Sequence, residues 1–161
     1  MDFNLIFRVT LGLLGLFLSV YSLFVEMQAH ADKNYKAMCD ISERVSCTKV
    51  FLSDFGRGFG LVAPIFGKDS PLNLPNPVFG IVFYSLVILI SLFKSNKGGL
   101  RLLTTLAGVS CLMSLYLASI LYRMKDTCLV CISTYIVNFG LLYFSFKRFN
   151  EYVVMEKYKS E

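Results

Sequence analysis

The chain has 161 residues, of which 55% are hydrophobic and only 17% charged, where soluble domains run at about 45–50% apolar and about 25% charged. So little charge and so few polar stretches exclude a disordered chain and a nucleic-acid-binding module. A net charge of +5 in so apolar a chain points instead to membrane topology, where basic residues set the direction of insertion.

Four charge-free runs follow one another along the chain: Val9–Val25, Ser70–Phe93, Leu102–Tyr122 and Thr127–Phe146. A membrane helix needs roughly 20 apolar residues, with about 17 the lower limit. The first run reaches that length when Leu5–Phe7 are added, with Arg8 snorkelling to the interface. The second begins with Pro71, Pro75 and Pro77, so its helix is expected to start near Asn76–Val78, where proline is tolerated in a first turn. A soluble four-helix bundle would need a polar stripe on every helix, and a segment such as GIVFYSLVILISLF has none. The expected fold is an all-α membrane protein, a four-transmembrane-helix bundle forming a single domain over 1–161. Its spans lie at about 5–27, 77–94, 101–122 and 127–147, with a large cap loop over 28–76 between helices 1 and 2.

An even number of spans places both termini on one side. Lys94, Lys97 and Arg101 form a short basic loop without acids, and Lys147 and Arg148 follow the last span, so this side is expected to be cytoplasmic. The long loop carries six basic residues (Lys33, Lys36, Arg44, Lys49, Arg57, Lys68) against five acids (Asp32, Asp40, Glu43, Asp54, Asp69) and goes to the opposite face with the turn Arg123–Asp126. Without a basic N-terminal region or a small-residue cleavage site, the first span reads as retained. No helix shows a Gly-x-x-x-Gly dimer face, so a monomer is expected.

Topology sorts the five cysteines. Cys39 and Cys47 lie in the long loop, Cys128 and Cys131 open the fourth span at the same face, and Cys111 is mid-span, where a small buried cysteine is the plain reading. Four thiols thus share the oxidising side of the membrane. Cys128-Leu129-Val130-Cys131 is a C-x-x-C at a helix start, where unpaired N–H groups and the dipole favour a thiolate, the attacking species in disulfide exchange. Half a zinc site and an inert structural disulfide are the competing readings. Zinc would want a second ligand pair, and neither the Cys39/Cys47 spacing nor the single His30 supplies one.

Below the motif, Cys128, Cys131, Tyr135, Asn138 and Leu142 follow the spacing of one helix face and are expected to point into one cavity. For Asn138 an interhelical hydrogen bond is the preferred reading over substrate contact. Val50–Phe66 in the long loop is rich in Phe and Leu and broken by Gly56, Gly58 and Gly60. Such a segment is expected to lie in the interface or to cap a hydrophobic cavity.

The pair Cys39 and Cys47, the run Gly56-Arg57-Gly58-Phe59-Gly60-Leu61, the run Asn76-Pro77-Val78-Phe79-Gly80, and Cys128-x-x-Cys131 followed by Tyr135 resemble the vitamin K epoxide reductase family over nearly the whole chain. A tryptophan common before the Gly-Arg-Gly-Phe-Gly run is replaced here by Phe55. The resemblance implies a membrane thiol oxidoreductase that reduces vitamin K 2,3-epoxide to the quinone and the quinone to the hydroquinone, with no tightly bound cofactor and no metal. It implies that Cys131 attacks the naphthoquinone and that Cys128 resolves the adduct by forming the Cys128–Cys131 disulfide. Cys39 and Cys47 match the relay pair, with Cys47 the one that attacks that disulfide and a lumenal thioredoxin-like protein recharging the pair. Asn76 and Tyr135 match residues that hydrogen-bond the two carbonyl ends of the quinone, while Phe51, Phe55 and Phe79 match its apolar lining. Inhibitors of the 4-hydroxycoumarin type are expected in the same pocket. The tail Lys157-Tyr158-Lys159-Ser160-Glu161 resembles a cytoplasmic retrieval signal, in line with the endoplasmic reticulum membrane and a lumenal site.

Two rival functions remain at this point. One uses the same residues in reverse, as a quinone-coupled oxidase that makes disulfides in secretory proteins, because direction depends on potentials and partner supply. The other is a four-span adhesion or junction protein whose loop is held by one disulfide, which leaves the C-x-x-C and its stripe without a purpose.

Overall fold

A computed structural model describes residues 3–93 and 96–160. Lys94 of the basic loop and Glu161 of the tail lie outside the described residues. Four long helices, α1 (Phe3–Ala31), α4 (Asn76–Phe93), α5 (Lys97–Met124) and α6 (Leu129–Ser160), are each long and apolar enough to cross a membrane. The loop between α1 and α4 carries two short helices, α2 (Cys47–Phe51) and α3 (Val62–Phe66). Among the described residues, β-structure is limited to isolated bridges, two of which, Ser42 to Val45 and Val45 to Thr127, tie the loop to itself and to the start of α6.

Helix α1 is the spine, packed against α4 on one side and α6 on the other, and α6 packs on α5. Through its middle the residues it turns inward are small: Gly12, Gly15, Ser19 and Ser22 are buried while Leu13, Leu14, Phe17 and Val20 are exposed. In lipid the apolar effect does not drive helices together, so close backbone approach through small residues does. At Gly15 that approach is obligatory, because a Cβ there would fall within the ring of Tyr84 on α4. Tyr84, Val87, Leu103, Ala107, Val137 and Leu141 form the buried core at this level.

Two expectations change. Arg8 is only 1% exposed, so it turns into the bundle and does not snorkel outward; at that depth an arginine is better satisfied by protein than by lipid. Helix α6 runs unbroken to Ser160, past position 147 where the fourth span was expected to end. Its 32 residues span roughly 48 Å at about 1.5 Å per residue, well beyond a hydrocarbon core of about 30 Å. The extension is held by Lys97 at the start of α5, which donates to Glu156 at 2.6 Å, and by Asn4, which donates to Glu151 at 3.0 Å.

Candidate active site

At the loop-bearing end of the bundle the four long helices enclose an apolar cavity of about 290 Å³. Its roof is the loop. Phe51, Phe55 and Phe59 face into it, opposite Phe79 and Tyr84 from α4 and Cys131, Tyr135 and Asn138 from α6. An apolar pocket with a few polar groups is the usual form of a small-molecule site. The two readings of Val50–Phe66 divide between its halves: the first half roofs the cavity, and α3 turns Ile65 and Phe66 outward.

Backbone geometry sets the roof. Gly58, Phe59 and Gly60 take successive positive φ values of 52°, 57° and 71°. The two glycines adopt this left-handed turn freely, while Phe59 bears a cost of roughly 1–2 kcal/mol. The Asn76 amide helps to offset that cost, since its Oδ1 accepts the Phe59 N–H at 2.8 Å. One Nδ2 hydrogen of Asn76 donates to the Phe55 carbonyl at 2.7 Å, and its backbone N–H donates to Gly56 at 2.9 Å. Phe59 is thereby held with its ring 5.1 Å from that of Phe79. A second tie comes from Arg57, whose Nε donates to the buried Glu26 carboxylate on α1 at 3.1 Å.

Across the cavity floor, the Tyr84 hydroxyl donates to Asn138 Oδ1 at 2.7 Å and Asn138 Nδ2 donates to Ser114 at 2.8 Å. Asn138 makes the interhelical bonds expected of it and joins α4, α5 and α6 in one buried chain. Tyr84 and Glu26 were not singled out in the sequence, and Arg57 entered only as a basic loop residue and as part of the Gly56–Leu61 run. The available signal was a polar tip within a greasy span for Tyr84 and a lone carboxylate at a span's end for Glu26.

The cysteines form two disulfides, Cys39–Cys47 with Cα atoms 5.8 Å apart and Cys128–Cys131 with Cα atoms 5.2 Å apart, and Cys111 is free and buried. The expected stripe splits. Cys131, Tyr135 and Asn138 face the cavity, but Cys128 and Leu142 do not. Cys128 precedes the first residue of α6 and acts as its cap: its carbonyl accepts the Ile132 N–H at 3.1 Å and its Sγ accepts the Cys131 N–H at 3.2 Å. It is fully buried in the cluster that contains Cys39, Cys47, Val25 and Phe51, while Cys131 packs at that cluster's edge. The C-x-x-C therefore stands between the cavity and the loop pair, one sulfur toward each.

The loop pair is held by Asp40. Its carboxylate accepts from the Thr48 N–H and hydroxyl, the Ser46 hydroxyl and the Ala37 N–H at 2.6–3.1 Å. Burial alone would raise the Asp40 pKa, but these donors outweigh it and hold the carboxyl below its ordinary 3.8.

Two cysteine pairs in series beside an apolar cavity are the parts of a thiol oxidoreductase, and the family model for vitamin K epoxide reductases matches residues 6–146. The chain belongs to the vitamin K epoxide reductase family. It is 43% identical over 146 residues to vitamin K epoxide reductase complex subunit 1 of Mus musculus, covering 90% of each chain. The corresponding subunit of Rattus norvegicus is 41% identical over 148 residues, covering 91% of each. The protein is accordingly a multi-pass membrane oxidoreductase of the vitamin K epoxide reductase type, built on a four-helix bundle with two redox-active cysteine pairs.

Proposed function

We propose that this protein reduces vitamin K 2,3-epoxide to the quinone, and the quinone to the hydroquinone, with electrons drawn from a lumenal thioredoxin-like protein at the endoplasmic reticulum membrane. The observation that carries this reading is the division of the C-x-x-C, with Cys131 on the cavity wall and Cys128 buried with Cys39 and Cys47. A lipid-soluble quinone reaches the first and an aqueous reductant reaches the second through the loop pair.

In this scheme Cys131, as a thiolate, adds to the ring and forms a carbon–sulfur bond. Cys128 then attacks Cys131 Sγ, closing their disulfide and releasing the two bonding electrons to the ring. With two protons the epoxide oxygen leaves as water; in the second reduction the two protons remain on the hydroquinone. Negative charge develops on the ring oxygens, so donors there lower the barrier. The Tyr135 hydroxyl and the second Nδ2 hydrogen of Asn76, beyond the one given to Phe55, are the candidates for the two carbonyl ends. Phe51, Phe55 and Phe79 supply the apolar lining that also suits a 4-hydroxycoumarin. Cys47 then attacks Cys128, breaking the Cys128–Cys131 bond and releasing the Cys131 thiolate. Cys39 attacks Cys47 in turn, expels Cys128 as a thiolate and closes the loop disulfide, which the partner reduces. With the site lumenal, both termini lie in the cytoplasm.

The test is epoxide turnover by purified protein with dithiothreitol, for wild type and Cys131→Ser. Turnover in the wild type and its loss in the variant is expected. No epoxide turnover, together with quinone-dependent oxidation of a reduced thioredoxin-like protein, would reverse the direction and make the protein a disulfide-forming oxidase.

A further inference from the structure

Beside the loop disulfide stand two apolar side chains with no structural reason to be outside. Met38 is 92% exposed and Ile41 is 69% exposed, and they flank Cys39 and Asp40 in sequence. Lipid does not account for them. The hairpin that carries them also presents Lys33, Lys36, Glu43, Arg44 and Lys49 to the outside, a ring of charge that keeps it in water. An apolar centre with a charged rim is the anatomy of a protein–protein contact.

The disulfide at that centre is also asymmetric. Cys39 is 8% exposed and Cys47 is 0% exposed, so an external thiolate finds Cys39 first. Resting on the function proposed above, we propose that Met38 and Ile41 are the docking platform for the reducing dithiol protein, seating its nucleophilic cysteine on Cys39. Its thiolate attacks Cys39 Sγ, a partner–Cys39 bond forms, the Cys39–Cys47 bond breaks, and Cys47 leaves as a thiolate beside Cys128. The partner's second thiol, once deprotonated, then attacks the partner sulfur of that mixed disulfide and releases Cys39. Two electrons pass to the loop pair and the partner ends as a disulfide. The fitting partner is a soluble protein of the thioredoxin type with a flat apolar surface around its reactive cysteine.

The experiment compares wild type with the double variant Met38→Ser/Ile41→Ser, full-length and in detergent. Each is driven either by dithiothreitol or by a purified thioredoxin-type protein. A parallel reaction uses that protein with its second cysteine changed to serine, so that the mixed disulfide with Cys39 accumulates. Expected are a fall of about tenfold or more in kcat/KM for the protein reductant and in mixed-disulfide yield, with the dithiothreitol rate within about twofold of wild type. Unchanged protein-driven rates overturn the proposal, and so does a parallel fall in both arms, which would mark a structural role. A change in particle size with unchanged rates would make the patch a contact between copies of this chain and overturn it too. Should wild type fail to turn over epoxide with dithiothreitol, the functional reading fails, while the mixed-disulfide yield still decides the docking platform.

Discussion

The backbone N–H of Ser46 donates to the carbonyl of Thr127 at 3.0 Å, and the Thr127 N–H donates back to Arg44 at 2.7 Å. The next residue along each segment is a redox cysteine, Cys47 after Ser46 and Cys128 after Thr127. Two hydrogen bonds thus hold the segment of the loop pair against the start of the C-x-x-C.

Removing one of those bonds tests the register. Thr127→Pro deletes the N–H that reaches Arg44 and should cost about 1 kcal/mol of stability. Exchange between the two pairs, followed by alkylation and mass spectrometry after a pulse of reductant, should slow. An exchange rate equal to wild type would mean that the bridge does not position the relay.

Cys128→Ser leaves Cys131 on the cavity wall without its resolving partner. Incubation with the quinone should accumulate a covalent adduct, read as a new absorption band and a mass shift on the peptide containing Cys131. If no adduct forms in Cys128→Ser while Cys131→Ser does form one, the order of attack is reversed.

The floor network gives a coupled prediction. Asn138→Leu strips the acceptor from the buried Tyr84 hydroxyl and should destabilise the bundle by about 0.6–2 kcal/mol. Adding Tyr84→Phe removes the stranded hydroxyl, so the double variant should be more stable than Asn138→Leu alone. Thermal unfolding in detergent measures both, and strict additivity of the two losses would contradict the network.

Asp40 predicts an acid limit for the hairpin. Its folded pKa lies below the ordinary 3.8, because donors from Thr48, Ser46 and Ala37 overcome the effect of burial. The folded state therefore binds the proton more weakly than the unfolded state. The stabilisation is complete above about pH 3.8 and is lost as pH falls through the folded value. Amide exchange of residues 37–48 should accelerate in that acid window for wild type and change little with pH for Asp40→Asn. Equal pH profiles for the two proteins would place the transition elsewhere.

Sequence alone determined the four spans and the shared face of Cys39, Cys47, Cys128 and Cys131, and resemblance to the family marked Asn76, Tyr135, Phe51, Phe55 and Phe79, which line one cavity in the structure. These follow from local properties: length without charge, helical period, and the order of motifs along the chain. Sequence period also placed Cys128 and Cys131 on one stripe, and there it failed. Helix α6 begins at Leu129, so Cys128 takes capping geometry and turns toward the loop pair. Only the tertiary structure showed Asn76 clamping the roof at Phe55 and Phe59, Glu26 gripping Arg57 across the loop, and Arg8 turned inward. A side chain's hydrogen-bond partners are chosen by elements distant in sequence, and a charge-free run carries no record of which residue will come to lie across from it. That is why the greasy chain announced its helices and its thiols, while the direction in which each sulfur faces was settled by packing.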